Sequence, residues 1–349
     1  MILPGSEFSN LMLLVFGMLC LGTWANTFRM TGKWRFELYS FDFAVGTVVA
    51  AVLLGLTFGS LGWDGFALTD DLRIAGKQKD AFAMAAGAVF NLGNMLILGS
   101  LSVAGVTVAY MMGLGAMLTS GMVLMHFTSP SGSGALLTGG AVLFVAAAVL
   151  LGFSSKLNST ERLVALIRQG KTKSTKKTVS LKGFFLAMGG GIIAGGYFPL
   201  VQAAGSDENG LGPYALGLFF TIGVFVSTLV FGLFFMNLPI TGEPLEPSAY
   251  FKGRAKFHWL GVLGGIVWYV GLSSTLIAAR AEGSSVIPPV TGRAVLLCAA
   301  VVGTLWGLLR WREFDGASSR IKTLLASALL VFAVGIVGLS FAAGNYLVG

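Results

Sequence analysis

Charged residues are scarce in this chain. Of its 349 residues, 11% are charged and 55% are hydrophobic, and the mean hydropathy is +0.82. A soluble globular protein carries about 25% charged residues, because these residues cover the surface that faces water. The composition therefore excludes a soluble enzyme, a nucleic-acid-binding domain and a disordered polypeptide, and it predicts a polytopic membrane protein.

Cysteine and histidine are scarcer still. Cys20 and Cys298 lie inside apolar runs, and the two histidines, His126 and His258, lie at the ends of such runs. In the sequence no pair of histidines or carboxylates has the spacing of metal ligands, and no nucleophile motif such as Gly-x-Ser-x-Gly occurs. We therefore expect no disulfide, no metal site, no cofactor and no enzymatic activity.

Long apolar runs are what the chain has in abundance. Runs of about 18 to 25 residues are long enough to cross a bilayer as helices, and lipid offers open backbone groups no other partner. The sequence therefore predicts an all-α membrane protein with ten transmembrane helices. The predicted spans are 9–28, 41–61, 81–102, 105–127, 134–154, 183–204, 213–236, 257–279, 285–309 and 323–346.

Basic residues are divided unevenly between two sets of loops. Eighteen of the 23 Lys and Arg residues lie in loops that follow odd-numbered spans, four lie in the other loops, and Arg293 lies within a span. The positive-inside rule places the eighteen in the cytoplasm, which puts both termini outside a bacterial-type inner membrane. Since topology explains the net charge of +8, we expect the bilayer as a partner and no nucleic acid.

Glycines recur at fixed offsets along the chain. The matches assign five spans to each half. Because five is odd, two copies of a five-helix unit would cross the membrane in opposite directions. We predict two inverted five-helix repeats, 1–154 and 183–349, joined by a basic cytoplasmic linker at 155–182. The matches are Gly22/Gly195, Trp24/Tyr197 and Gly32/Gly205 at an offset of 173, and Gly87/Gly265, Gly93/Gly271 and Gly105/Gly283 at an offset of 178.

Inverted repeats are typical of secondary transporters, which bind a solute near the midplane between the halves. With ten spans in two inverted halves, the chain resembles the drug/metabolite transporter superfamily. The segments Leu21-Gly-Thr-Trp24 and Gly32-Lys-Trp-Arg-Phe-Glu-Leu-Tyr-Ser-Phe-Asp42 resemble the ureide permease branch, which is close to the glucose/ribose and rhamnose porters. This resemblance implies proton-coupled uptake of a small polar metabolite, such as a ureide, a nucleobase or a sugar.

Three ionisable residues are candidates for transport chemistry, because charge inside a bilayer is costly. Arg293 follows a double proline and could hold a carbonyl or carboxylate of the solute, or it could pair with a loop acid. Asp42 and Glu37 could carry the coupled proton, since a carboxylate beside a low-dielectric cavity can bind and release one. Alternatively both pair with nearby bases, with Arg35 or Lys33 as the expected partner of Glu37.

Aromatic and amide residues in the spans are candidates for binding the solute. Ring faces stack on flat molecules, and amides form in-plane hydrogen bonds. The alternative is that the amides join helices and the aromatic residues lie at the membrane interface, a strong alternative for Trp24. The candidates are Trp24, Asn26, Asn91, Asn94, Tyr110, Tyr197, Gln202, Trp268 and Tyr269.

The combined prediction is a secondary transporter, a proton symporter for a small polar solute. A single chain contains both halves, so a monomer suffices for alternating access. Two alternatives remain open at the level of sequence: a metabolite or drug exporter of the same superfamily, and a membrane protein that binds a solute without transporting it.

Overall fold

The computed structural model describes residues 1–32, 34–62, 64–128, 132–168, 181–206, 210–280 and 298–342. Within these ranges the chain is helical, with turns and no β-strand. The helices are α1 Glu7–Thr23, α2 Ala25–Thr31, α3 Phe36–Leu56, α4 Leu68–Ile74, α5 Lys77–Ala104, α6 Val106–Thr128, α7 Gly134–Arg168, α8 Leu181–Gly195, α9 Tyr197–Gly205, α10 Pro213–Asn237, α11 Ser248–Phe251, α12 Ala255–Arg280, α13 Cys298–Arg310 and α14 Ser319–Ala342.

Nine segments of the described residues are long and apolar enough to cross a membrane. They coincide with the predicted spans one to eight and ten, when α1 and α2 are counted as one segment and α8 and α9 as another. The ninth predicted span, 285–309, is described only from Cys298 onward, as the shorter apolar helix α13. The structure thus agrees with an all-helical multi-pass membrane protein, and the count of ten stays a prediction.

The fifth span differs from its predicted extent. We predict it to end at residue 154, but α7 continues to Arg168, inside the predicted linker. Ser155 and Asn158 are buried on one face of this extension, while Leu163 and Val164 are exposed. Apolar length marks where a helix leaves the membrane, and it does not mark where the helix ends.

The first and sixth spans are both broken. Trp24 separates α1 from α2, and Gly196 separates α8 from α9. The repeat aligns Trp24 with Tyr197, so the two breaks fall within one residue of matching positions. A broken span frees backbone groups, which inside a membrane protein must find partners in the protein or face a cavity.

Helix contacts occur in pairs. When each helix of one contact is replaced by its counterpart in the predicted repeat, the other contact of the pair results. α1 packs on α12 as α8 packs on α5, and α3 packs on α12 as α10 packs on α5. Two further contacts join a helix to its own counterpart, namely α3 with α10 and α7 with α14. This pattern is what a twofold relation between the halves would produce.

Glycines allow the closest of these helix approaches. Gly46 and Gly265 lie where α3 crosses α12, and Gly223 and Gly87 lie where α10 crosses α5. A Cβ atom added at any of the four would overlap backbone of the facing helix. The crossings of α5 with α8 and of α12 with α1 use Gly93 with Gly190 and Gly271 with Gly17. Several glycines that recur in the sequence therefore serve helix packing.

Loops that we predict on the same side of the membrane meet at the same end of the helical bundle. At one end, Arg35 donates a hydrogen bond to the carbonyl of Glu243 (2.5 Å). At the other end, the Tyr214 hydroxyl donates to the carbonyl of Ile2 (2.9 Å). Which end faces the cytoplasm stays a prediction from the basic residues.

Candidate functional site

A central cavity lies beside the break between α1 and α2, and helices of both halves form its walls. Among its lining residues are five of the predicted solute-binding residues, Trp24, Asn94, Tyr110, Tyr197 and Trp268, and most of the others are apolar. Its free space is about 50 Å³, which is room for only a few water molecules. A ureide, nucleobase or sugar is larger, so side chains must move before such a solute fits.

Stacked aromatic rings form one wall of the cavity. The Trp268 ring stacks on Phe90 with centroids 4.5 Å apart and an interplanar angle of 25°. Phe43 lies 4.9 Å from Trp24 and 5.7 Å from Trp268, measured between ring centroids. Trp24 is 4% exposed, so its ring lies inside the protein, away from an outer surface where an interfacial tryptophan would be.

Asn94 is a buried amide in the cavity lining. It is 2% exposed, and its amide nitrogen has no hydrogen-bond partner among the described residues. Burying an amide donor without a hydrogen bond costs about 1–3 kcal/mol. An unsatisfied donor in an aromatic cavity fits a solute that supplies an acceptor.

Asn91 points elsewhere. Its amide nitrogen donates to the hydroxyls of Ser227 and Thr228, both at 2.9 Å, and to the carbonyl of Val224 (3.2 Å), all on α10. Residues three apart on a helix differ by about 60° in direction, which is enough to place Asn94 against the cavity and Asn91 against α10. The structure therefore places Asn91 at a helix contact, outside the cavity lining.

Tyr110 and Asn26 support the break between α1 and α2. The Tyr110 hydroxyl accepts a hydrogen bond from the Ala25 backbone N–H (3.1 Å), which the break leaves free. The Asn26 amide donates to the carbonyl of Thr23 (2.8 Å) and accepts from the Trp311 indole (2.7 Å). Tyr110 lies in a π-helical turn, Ala109–Leu114, a distortion that is frequent at functional sites.

The remaining candidates lie outside the cavity lining or outside the described residues. Tyr269 is fully buried against Gly217 of α10, and its hydroxyl has no partner among the described residues. Gln202 lies on α9 and takes no part in the lining. Arg293 falls in 281–297, outside the described residues, so its role stays a prediction.

Asp42 lies at a junction of α3, α11 and α12. It is 3% exposed, its Oδ1 accepts a hydrogen bond from the Tyr250 hydroxyl (2.5 Å), and both its oxygens lie 3.0 Å from His258 Nδ1. Burial, with further contributions from the Asp42 hydrogen bond and charge, raises the pKa of Tyr250, so this phenol remains a donor at neutral pH. The site combines a carboxylate, an imidazole and a phenol, which together can hold and move a proton.

Glu37 pairs with a neighbouring base. Its carboxylate accepts two hydrogen bonds from the Arg35 guanidinium, at 2.6 and 3.2 Å, in a bidentate ion pair. This is one of the two partners that the sequence suggested for Glu37. Charge pairing of this kind favours a structural role over proton coupling.

Sequence reasoning missed two members of the Asp42 site and one other carboxylate. The sequence places His258 only at the end of an apolar run, and it singles out neither Tyr250 nor Glu313. Glu313 accepts hydrogen bonds from the Val106 and Thr107 N–H groups at the start of α6, at 2.7 and 2.8 Å. The only signal for these residues was their polarity beside apolar runs, which most loop residues share.

The described residues contain no group of three or more His, Cys, Asp or Glu side chains that could hold a metal ion. In the Asp42 site, a phenol and an imidazole already engage both carboxylate oxygens. A carboxylate, a phenol and an imidazole in contact are groups that can exchange protons, and proton binding by Asp42 stays a prediction.

Comparisons with known proteins give relatives that cover almost the whole chain. Ureide permease 1 of Arabidopsis thaliana is 23% identical, over 95% of this chain and 96% of the relative, and Ureide permease 4 of the same plant is 21% identical over the same shares. A protein crystal structure matches with a TM-score of 0.50 and 17% identity, over 97% of this chain and 98% of the other, and this likeness concerns the fold alone. No protein-family model matches.

These relatives indicate a transporter and argue against an enzyme. They support the ureide-permease-like part of the resemblance, whereas the wider superfamily and the sugar-porter branch stay predictions. Both relatives are plant proteins, so a bacterial inner membrane also stays a prediction. The chain is a multi-pass membrane protein that resembles ureide permeases over nearly its whole length.

Proposed function

We propose that this chain is a secondary transporter that takes up a small, flat, polar solute by proton-coupled alternating access. The observation that carries the proposal is the unpartnered amide of Asn94, buried in an otherwise aromatic and apolar cavity. The names of the relatives point to ureides as the first substrate class to test. A nucleobase shares the same flat shape and ring acceptors, and a sugar is the third class.

The solute enters between the aromatic rings and meets Asn94. Trp24 and Trp268 offer ring faces for stacking, while the Asn94 amide donates a hydrogen bond to a carbonyl of the solute. This arrangement rewards a ligand that is both planar and rich in carbonyl groups. Uptake requires the rings to separate, since the cavity holds only a few waters.

Asp42 links proton binding to the cavity wall. It joins α3 to His258 on α12, and the next residue, Phe43, contacts the rings of Trp24 and Trp268. Protonation removes the charge that strengthens the bonds to His258 and Tyr250. The two helices can then separate, and the aromatic wall moves with them.

Alternating access uses the inverted repeat, since helices of the two halves can exchange between two equivalent arrangements. Hydrogen bonds join the halves at both ends: Glu313 to the start of α6 at one end, and Lys79 to the carbonyl of Ala203 (2.8 Å) at the other. Each set of bonds breaks in turn as the cavity opens to one side and then to the other. The paired helix contacts and the two broken spans support the twofold relation on which this exchange depends.

Reconstituted uptake tests the function. Purified protein in proteoliposomes is given radiolabelled allantoin as the ureide, uracil as the nucleobase and glucose as the sugar, each with and without an inward proton gradient. We expect accumulation of one class above equilibrium only when the gradient is present. Accumulation that ignores the gradient would contradict proton coupling, and binding without counterflow would indicate a non-transporting protein.

Asp42→Asn isolates the coupling step. Asn retains the size of the side chain and removes its charge, so we expect gradient-driven accumulation to be lost while counterflow of labelled solute persists. Glu37→Gln serves as the comparison at the same end of α3, and we expect it to retain proton dependence. Equal loss of counterflow and accumulation in Asp42→Asn would assign Asp42 to folding or solute binding.

A further inference from the structure

A second cavity, separate from the central one, lies where α2, α7 and the loop after α13 meet. Its volume is about 550 Å³, and three arginines line it: Arg29, Arg162 and Arg312. Glu313 also lines it, but the carboxylate is held by two backbone N–H groups at the start of α6. The charged side chains of the described lining therefore carry a net positive charge.

Two buried polar atoms in this cavity have no partner. The Ser155 hydroxyl and the Asn158 Oδ1 are buried, and neither has a hydrogen-bond partner among the described residues. Both residues belong to the part of α7 that extends beyond the predicted span and line the cavity. The Ser155 hydroxyl can donate to an anionic oxygen, as the three guanidinium groups can. The Asn158 Oδ1 accepts, so it needs a donor such as a hydroxyl on the headgroup of the same ligand.

An apolar groove continues from this arginine cavity along the outside of α7 and α8. Its volume is about 700 Å³, and its lining includes Val149, Phe153 and Phe185, all exposed. Val108, Ser155 and Ser159 line both the cavity and the groove, so the two spaces adjoin. Lys156 stands in the groove lining beside this junction and adds a further positive charge.

We propose that an anionic phospholipid binds here, with its phosphate in the arginine cavity and an acyl chain in the groove. A free anion would use the cavity and leave the groove empty, whereas a phospholipid has one part for each space. Arginine suits phosphate because its planar fork donates paired hydrogen bonds. Arg312 has a φ of +49°, which costs energy in a non-glycine residue and is typical of binding positions.

The lipid would contact both halves of the protein. Arg162 lies on the extension of α7, which continues the first half into the predicted linker, and Arg312 belongs to the second half. Arg162 also donates to the carbonyl of Asp315 (3.1 Å). Binding of one phosphate to both arginines would stabilise the junction between the halves at this end. The site lies apart from the solute cavity, and lipid binding can be tested without the proposed function, although Glu313 belongs both to this lining and to the bonds between the halves.

Thermal unfolding in detergent tests the site with three probes: dioleoyl phosphatidylglycerol, dioleoyl phosphatidylcholine and inorganic phosphate. We expect phosphatidylglycerol to raise the unfolding temperature of the wild type well above the other two, and native mass spectrometry to detect the bound lipid. The double variant Arg162→Gln/Arg312→Gln should lose most of this shift. The variant Arg320→Gln/Lys322→Gln, with bases near the same end that do not line the cavity, should retain it.

A groove variant separates a lipid from a free anion. Val149→Trp fills the groove, and Val145→Trp, one turn away on the same exposed face, does not line it. We expect Val149→Trp to lose the phosphatidylglycerol shift and Val145→Trp to retain it. Equal shifts with phosphatidylcholine, or an inorganic phosphate shift that matches phosphatidylglycerol and ignores Val149→Trp, would overturn the proposal.

Discussion

At the scale of single residues, the buried amide nitrogen of Asn94 lowers the free energy of unfolding, because no hydrogen bond within the described protein offsets its loss of contact with water. Replacing its buried, unpartnered amide with an apolar side chain of similar size removes that cost. We therefore expect Asn94→Leu to unfold at the same temperature as the wild type or higher, and to lose at least about tenfold in solute uptake, which corresponds to one hydrogen bond of about 1.4 kcal/mol. Thermal unfolding and proteoliposome uptake measure the two effects.

Asn91→Leu is the matched comparison on the same helix. It removes three hydrogen bonds to α10 and leaves Ser227 and Thr228 without this donor. We expect a lower unfolding temperature than in Asn94→Leu. If both variants unfold alike, the distinction between a helix contact and a solute contact is wrong.

Asp71, on the short helix α4, gives the stability a pH dependence. Burial raises the pKa of this carboxyl, although the Gly212 N–H donates to it (2.9 Å) and Arg280 opposes the rise. The folded state therefore holds the proton more tightly than the unfolded state. The contribution of Asp71 to the free energy of unfolding decreases as the pH rises from the ordinary carboxyl pKa through the raised folded pKa.

Asp71→Asn removes this titration and keeps an oxygen that can accept from Gly212. We expect the variant to unfold at a higher temperature than the wild type at pH 7, and the difference to shrink as the pH falls below about 4, the ordinary carboxyl pKa, because the wild-type carboxyl then becomes protonated in both states. Asp70→Asn, exposed on the same helix, should show no such trend. A variant less stable than the wild type at pH 7 would contradict the expected sign.

The aromatic and amide residue types indicated which spans surround the central cavity, but they did not indicate which side chains point into it. Five of the nine aromatic and amide candidates line the central cavity. Polar groups inside a span are costly unless they bind a ligand or another polar group, so they tend to face a cavity. A rotation of about 60° along α5 separates Asn94 from Asn91. The partners of Asp42 lie 208 and 216 residues away, so only the tertiary structure brings them together.

At the scale of helices, the close crossings at glycine predict that alanine at these positions destabilises the protein. An added Cβ at Gly265 meets the backbone of α3, and one at Gly87 meets the backbone of α10. Overpacking of this kind costs about 1–3 kcal/mol, so we expect Gly265→Ala and Gly87→Ala both to lower the unfolding temperature. Because the two crossings correspond in the repeat, the two decreases should be similar.

Gly189→Ala is the control for these crossings. Gly189 also lies in a spanning segment, but an added Cβ there meets nothing within 4 Å. Alanine favours helix over glycine, so this variant should unfold at the wild-type temperature or slightly above it. If Gly189→Ala lowered the unfolding temperature to the same extent, the helix crossings would not explain the destabilisation of Gly265→Ala and Gly87→Ala.

Helix existence followed from the sequence more closely than helix ends. Apolar length located nine spans, because a helix satisfies all of its own backbone hydrogen bonds in lipid. It missed the extension of α7 to Arg168, where burial of Ser155 and Asn158 continues the helix beyond the apolar run. It also started the second span after Glu37, although α3 begins at Phe36.

At the scale of the whole molecule, the basic residues predict the orientation in the membrane. Lys77 and Arg320 are exposed near opposite predicted faces. In a Cys20→Ala/Cys298→Ala background, we expect Lys77→Cys to react with a membrane-impermeant maleimide in intact cells, and Arg320→Cys to react only after permeabilisation. The reverse pattern would show that the positive-inside assignment is wrong.

The recurring glycines are the sequence feature that corresponds most directly to the packing of the helices. Gly87, Gly93, Gly265 and Gly271 recur at an offset of 178 and all lie at close helix crossings. At these crossings the backbone approach leaves no room for a side chain, and duplication of a five-helix unit stays a prediction. The hydrogen bonds of Glu313 and Lys79 between the halves could not be predicted from the sequence. Both residues lie outside the predicted spans, where the sequence carries no periodic signal.

The small free space of the central cavity limits how ions and solutes could cross. A pore needs a continuous column of water, whereas this cavity holds a few molecules and bonds join the halves at both of its ends. We expect planar-bilayer recordings to show no single-channel current, and flux to saturate with solute concentration. The protein would then work as a stoichiometric carrier whose speed is set by repacking of its aromatic wall, and leakage of protons would remain low in the absence of solute.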